Sequence, residues 1–235
     1  MSSPPATGSP VIVALDVPTA AEAVSLATRL APHVGGFKVG LALLHGPGPG
    51  IVGALARIGP VLADAKLHDI PSQAAAAAAR LGEYGARWVT AHAAGGREML
   101  EAAAAGLAAG SAGSGGILGE TVLTSLDAPA LASLGLGDRP GKLVARLART
   151  CAAAGLEGVV CGTKELGDVA QVAPDLLRVV PGIRPAGPLE GDDQRRTATP
   201  EEARRRGADY LVVGRPIVAA PDPVAAAEAL AAAVA

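Results

Sequence analysis

The chain has 235 residues, half of them hydrophobic and only 2% aromatic, with 20 basic against 22 acidic side chains and a formal net charge of −2. That balance excludes the basic excess of a nucleic-acid binder, and the shortage of rings excludes a stacking platform for bases. The large apolar fraction excludes disorder for most of the chain and implies a core of Ala, Val, Leu and Ile.

The opening MSSPPATGSP lacks the basic and apolar segments of a signal peptide, so residues 1–10 are expected to be a flexible tail before a single domain over 11–235. Eight short apolar runs follow: 11–17, 36–41, 61–67, 87–93, 117–125, 158–162, 176–184 and 210–217. Most are nearly continuously apolar, the pattern of parallel strands covered on both faces. Ala-rich helical segments separate them. Thr199 and Asp222 each stand before a proline as helix starts, and Gly85, Gly155 and Gly207 stand as helix ends. Residues 130–155 are read as one long helix. Eight strands alternating with eight helices predict a (β/α)8 TIM barrel, with an open doubly wound sheet as the structural alternative. No GxGxxG follows the first run, which weakens a dinucleotide-binding reading of that alternative.

The longest polar loop, 185–200, has the length of a functional lid. No apolar run approaches the roughly 20 residues that span a bilayer. Cys151 and Cys161 fit neither a CxxC motif nor a disulfide framework, which implies reduced thiols and a cytoplasmic protein. His33, His45 and His68 show no metal-ligand spacing, and His92 could be either catalytic or a hydrogen-bonded structural residue.

In a parallel barrel the functional site forms at the C-terminal ends of the strands. Polar groups collect there: Asp16, Lys38, Asp64 and Lys66, His92, Thr124 and Ser125, Arg184, and Gly214 with Arg215. Asp64 and Lys66 are two apart, so strand alternation puts them on one face, roughly 6–7 Å from each other. Asp69 lies just beyond, before Ile70 and Pro71. Alternating lysines and aspartates keep one another charged in a partly buried place and can hold a lysine as a proton donor. A surface salt bridge is the plain alternative for residues 64–69, and Lys38 and Asp16 at matching strand ends weigh against it. The loops after strands seven and eight are the common phosphate-binding place, where Arg215 can grip an anion with two hydrogen bonds. For Arg184, a salt bridge to Asp192 or Asp193 competes with that role. Cys161 is read as a small core residue.

The segments ALDV, FKVG, DAKLHDIP, HAAGG, VLTSLD, VVPGIRP, DQRRTATPEEA and DYLVVGRPI occur in the order found in the orotidine 5′-phosphate decarboxylase family. The chain resembles that family from about residue 11 to about residue 220. The resemblance implies a homodimeric barrel that converts orotidine 5′-monophosphate (OMP) to UMP without metal or organic cofactor. It implies that Lys66 protonates C6 of the pyrimidine, that Asp64 sits near the departing carboxylate, and that Lys38 and Asp16 hold the ribose and the charge network. Asp69 and Ile70 would reach the partner's site, with Gln73 as a contact across the dimer where the family usually has Thr. Thr124 and Ser125 would meet the pyrimidine edge. Arg184, Gln194, Gly214 and Arg215 would hold the phosphate.

Two alternatives carry different expectations. Magnesium-dependent sugar-phosphate decarboxylases and hexulose phosphate synthases resemble the same DxKxxD core, but they have an acidic residue in place of Lys38 and lack the Ile-Pro. A non-catalytic nucleotide-binding barrel would keep Gly214 and Arg215 and lose one of the charged residues, all of which are present here.

Overall fold

The computed structural model describes residues 8–137, 139–185 and 196–234. Eight parallel strands close a barrel in chain order: β1 (Val11–Ala14), β2 (Gly36–Val39), β3 (Val61–Leu67), β4 (Trp88–His92), β5 (Gly116–Glu120), β6 (Gly158–Val160), β7 (Leu177–Val180) and β8 (Tyr210–Val213). β8 closes on β1 with Ile12 opposite Val212. Of the expected tail, residues 1–7 lie outside the described residues, while the Pro10 carbonyl already accepts a ladder bond from Leu211 at 2.9 Å.

Period-two alternation divides the strands between two cores. Ile12, Leu62, Trp88, Leu118, Val179 and Val212 point inward and form one apolar cluster within the barrel. Their neighbours in sequence, such as Val11, Val13, Ala63, Val89, Ile117 and Leu211, point outward into a larger cluster under the helices. Both faces are thus apolar, which is why the runs look continuous in the sequence. A fully buried side chain of this size contributes about 1.5–3 kcal/mol.

The helix Pro71–Glu83 shows how composition sets the outer layer. Ile70 is extended, Pro71 supplies the first helical position, and alanine carries the helix on to Gly85, whose φ of 89° ends it. It lies directly against the helix Arg97–Gly110. A Cβ on Gly106 or Gly110 would stand 2.2 and 2.0 Å from the carbonyl oxygens of Ala75 and Ala79, so only glycine permits this approach.

Three expectations need correction, and the first is the eighth run: 210–217 is strand only through Val213, and Arg215–Val218 is a short helix. Residues 130–155 are not one helix: Ala128–Ser133 and Pro140–Ala153 are separate, because Gly135 and Gly137 take φ of 71° and 84° and Pro140 starts the second. The fifth run, 117–125, is strand only as far as Glu120. The amide and hydroxyl of Thr121 both donate to the Val160 carbonyl, at 3.2 and 2.7 Å, and the chain leaves the sheet there.

Candidate active site

A cavity of about 600 Å³ opens at the C-terminal ends of the strands. Its floor is the inward apolar set Ala14, Leu62, Val160, Val179 and Val212, and above it stand the polar residues.

One wall is a chain of alternating charges drawn from four strand ends. Asp16 Oδ1 lies 3.4 Å from Lys38 Nζ, which lies 3.5 Å from Asp64 Oδ2. Asp64 Oδ1 lies 2.6 Å from Lys66 Nζ, and Lys66 Nζ lies 3.2 Å from Glu120 Oε2. Gly40 leaves room for the start of this chain. A Cβ there would stand 3.2 Å from Lys38 Nζ and 3.3 Å from Asp16 Oδ1.

The Asp64–Lys66 contact does not come from regular alternation. Ala63 pairs with Val89, but the next pair is Leu67 with Ala91, so four residues of travel on β3 meet two on β4. Within this bulge Lys66 has φ 47°, a left-handed conformation that costs a non-glycine residue about 1–3 kcal/mol. Thr90 secures it: its hydroxyl accepts from the Lys66 amide at 2.9 Å and donates to Asp64 Oδ1 at 2.8 Å. The irregularity turns the ammonium back onto its neighbouring carboxylate.

Burial and pairing act on these groups in opposite directions. For Asp64, burial raises the pKa, but Lys38, Lys66 and the hydrogen bonds from Lys66 and Thr90 outweigh it and hold the carboxyl below its ordinary value. For Lys66, burial lowers the pKa, but Glu120 and Asp64 hold the ammonium above its ordinary value. For Glu120 burial wins, raising the carboxyl despite Lys66, with Asp64 adding repulsion. His92 is lowered by burial and by His68, whose ring centroid lies 5.3 Å away.

The facing wall comes from the loops after β5, β7 and β8. It contains Leu123, Thr124, Ser125, Pro181, Gly182, Arg184, Gly214 and Arg215. Arg184 is buried and donates to the Ile183 carbonyl at 2.9 Å. Arg196 ties two loops together: it pairs with Glu165 at 2.6 Å and donates to the Val122 carbonyl at 2.9 Å.

The structure therefore gathers Asp16, Lys38, Asp64, Lys66, Thr124, Ser125, Arg184, Gly214 and Arg215 around one cavity. Asp69, Ile70 and Gln73 are exposed and outside that lining, with Asp69 Oδ1 accepting from the Ile70 amide at 2.7 Å. Gln194, Asp192 and Asp193 lie outside the described residues. Sequence reasoning missed Thr90, Arg196 and above all Glu120. Glu120 is two residues on from inward-facing Leu118, and that parity was its one signal.

A closed parallel barrel with such a charged cavity at the C-terminal ends of its strands is a barrel enzyme of the TIM type. Residues 9–230 match the model of the orotidine 5′-phosphate decarboxylase / HUMPS family, and the chain belongs to that family. It is 51% identical over 224 residues to an orotidine 5′-phosphate decarboxylase of Anaeromyxobacter sp. (strain K), covering 94% of this chain and 96% of the relative. It is 48% identical over 229 residues to one from Moorella thermoacetica, covering 94% of this chain and 90% of the relative. The crystal structure of orotidine 5′-phosphate decarboxylase from Lactobacillus acidophilus superposes with a TM-score of 0.83 at 34% identity, covering 96% of this chain and 99% of that one.

Proposed function

We propose that the chain decarboxylates OMP to UMP and carbon dioxide, a step of pyrimidine biosynthesis, with Lys66 as the proton donor. The observation that carries this reading is the Lys38–Asp64–Lys66 chain over an apolar floor, with Lys66 Nζ 2.6 Å from Asp64. The C6–carboxylate bond breaks, carbon dioxide leaves, and the electron pair stays on C6, where no carbonyl is placed to delocalise it simply. An ammonium beside that carbon stabilises the growing charge and then transfers its proton to it; solvent restores the lysine. On this reading Asp64 meets the departing carboxylate, and Asp16 and Lys38 hold the ribose and the charge network. Thr124 and Ser125 take the pyrimidine edge, and Arg184, Gln194, Gly214 and Arg215 the phosphate. Phosphate binding is remote from the breaking bond, so its energy can serve the transition state.

Asp69, Ile70 and Gln73 belong, on this reading, to a second copy's cavity in a homodimer. Support comes from their position at the β3 end, outside their own cavity, with Ile70 63% exposed. Concentration-dependent sedimentation, with Ile70→Asp as the disrupting variant, tests it. The buried free thiols of Cys151 and Cys161 support a cytoplasmic location. Against the magnesium-dependent relatives stands Lys38, a fixed cation 3.5 Å from Asp64.

The deciding experiment follows OMP absorbance with the purified chain in EDTA. Loss of OMP with UMP formed is the expected result. No turnover, with sugar-phosphate activity restored by magnesium, would overturn the reading.

A further inference from the structure

Lys66 is gripped from two sides, by Asp64 and by Glu120. Asp64 holds the ammonium from its own strand, but Asp64 is shared: it also faces Lys38 and takes the Thr90 hydroxyl. The second grip is Glu120, the last residue of β5, whose Oε2 accepts from Lys66 Nζ at 3.2 Å. Glu120 stands opposite His92 on β4 and Val160 on β6, points into the barrel, and exposes only 5% of its side chain. A carboxylate that deep is costly unless it is paired.

We propose that Glu120 is a positioning residue for Lys66: set across from Asp64, it fixes the ammonium over the cavity floor and keeps it charged until carbon accepts its proton. This rests on Lys66 being the donor. The lysine needs a second anchor because its stem leaves a left-handed residue inside a bulge, where a single contact leaves Nζ free to swing about Asp64. Two carboxylates on different strands define a point between them. The titratable neighbours of this pair are Lys38 on β2, Asp64 on β3, His92 on β4 and the Cys161 thiol after β6; Val160 and Val179 line the same cavity as apolar groups. Among these, Asp64 and Glu120 are the carboxylates in contact with Lys66 Nζ. Removing one should therefore change both where the ammonium sits and how readily it loses its proton.

The test uses Glu120→Gln, close in shape, and Glu120→Asp, which keeps the charge on a shorter stem. The chain has four lysines, Lys38, Lys66, Lys142 and Lys164, so the Lys66 Cε signal can be followed by ¹³C NMR in ligand-free protein. In Glu120→Gln the Lys66 titration midpoint is expected to fall by about one pH unit. At neutral pH kcat should fall about tenfold with KM changed less than about twofold, and the alkaline limb of kcat should move down with the midpoint. Glu120→Asp should recover part of both. A folded Glu120→Gln protein with unmoved midpoint and unmoved kcat would overturn the proposal and leave Glu120 as filling. If the midpoint moves but the unmodified chain consumes no OMP, the Glu120–Lys66 coupling stands and the decarboxylase reading fails.

Discussion

The barrel carries charge at both ends, and the two ends handle it differently. At the N-terminal end, Arg87 and Glu157 stand just before β4 and β6. Arg87 Nη1 donates to Glu157 Oε2 at 2.8 Å, Nη2 donates to Oε1, and Trp88 Nε1 donates to the same Oε1 at 3.2 Å. The guanidinium lies 4.7 Å over the Trp88 ring, and Trp88 packs on Tyr210 at 5.2 Å. Gly116 makes the room, since any Cβ there would overlap Glu157. One cation and one anion cancel over an aromatic plug. At the C-terminal end Asp16, Asp64 and Glu120 face Lys38 and Lys66 across a cavity, and one backbone is held left-handed. A pair that cancels against packed rings serves stability. Charged groups gathered beside open space, with Asp64, Lys66 and Glu120 shifted in proton affinity, mark a site of chemistry.

Substitutions at the two ends should separate accordingly. Lys66→Ala is expected to have the largest effect, a loss of about 10⁴-fold or more in kcat, because proton donation and charge stabilisation are lost together. Calorimetry should show UMP binding weakened by less than about tenfold, since the residues proposed to hold the phosphate are untouched. Substantial turnover in that variant would break the contrast at its root. Arg215→Ala should cost about 10–100-fold in kcat/KM, the worth of a charge-assisted contact of 1.5–3 kcal/mol. Glu157→Ala should do the reverse. It leaves Arg87 and Trp88 without their acceptor, which costs about 1–3 kcal/mol of stability by urea unfolding, while kcat stays within about twofold. If kcat fell with stability intact, the N-terminal end would be no mere closure.

The architecture and most of one wall were legible because a parallel barrel writes itself plainly. Strands buried on both faces give continuous apolar runs, and polar residues that end such runs meet at one rim. What escaped lay where local pattern and tertiary structure part. Thr121, Val122 and Leu123 continue the apolar, β-forming character of β5 after the strand has ended, so the end appeared at Ser125 and Glu120 looked internal. Alternation put Asp64 and Lys66 on one face, but nothing in DAKL announces a bulge or a φ of 47°. Arg87 and Glu157 are 70 residues apart, and each looks like an ordinary charge preceding a strand. Their meeting follows from the register of β4, β5 and β6, which no local pattern contains.

The smallest effect tests the site through stability alone. Asp64 and Glu120 touch the same ammonium yet are shifted oppositely, so their linkage to pH has opposite signs. Asp64, held below its ordinary 3.8, contributes stability above that value and loses it as pH falls through the lower folded pKa. Glu120, held above its ordinary 4.5, favours the fold in acid, and that contribution disappears as pH rises through the higher folded pKa. Glutamine mimics the protonated form at every pH. The Tm of Glu120→Gln relative to the unmodified chain should therefore rise from pH 4 upward and level off once Glu120 has ionised. Each kcal/mol gained is worth about 2–4 °C in a chain of this size. Asp64→Asn should show the mirror image, a deficit that shrinks only as pH drops below 3.8. Equal gaps at all pH values in both variants would mean that burial does not divide the two carboxylates, and the contrast between the two ends of the barrel would then rest on geometry alone.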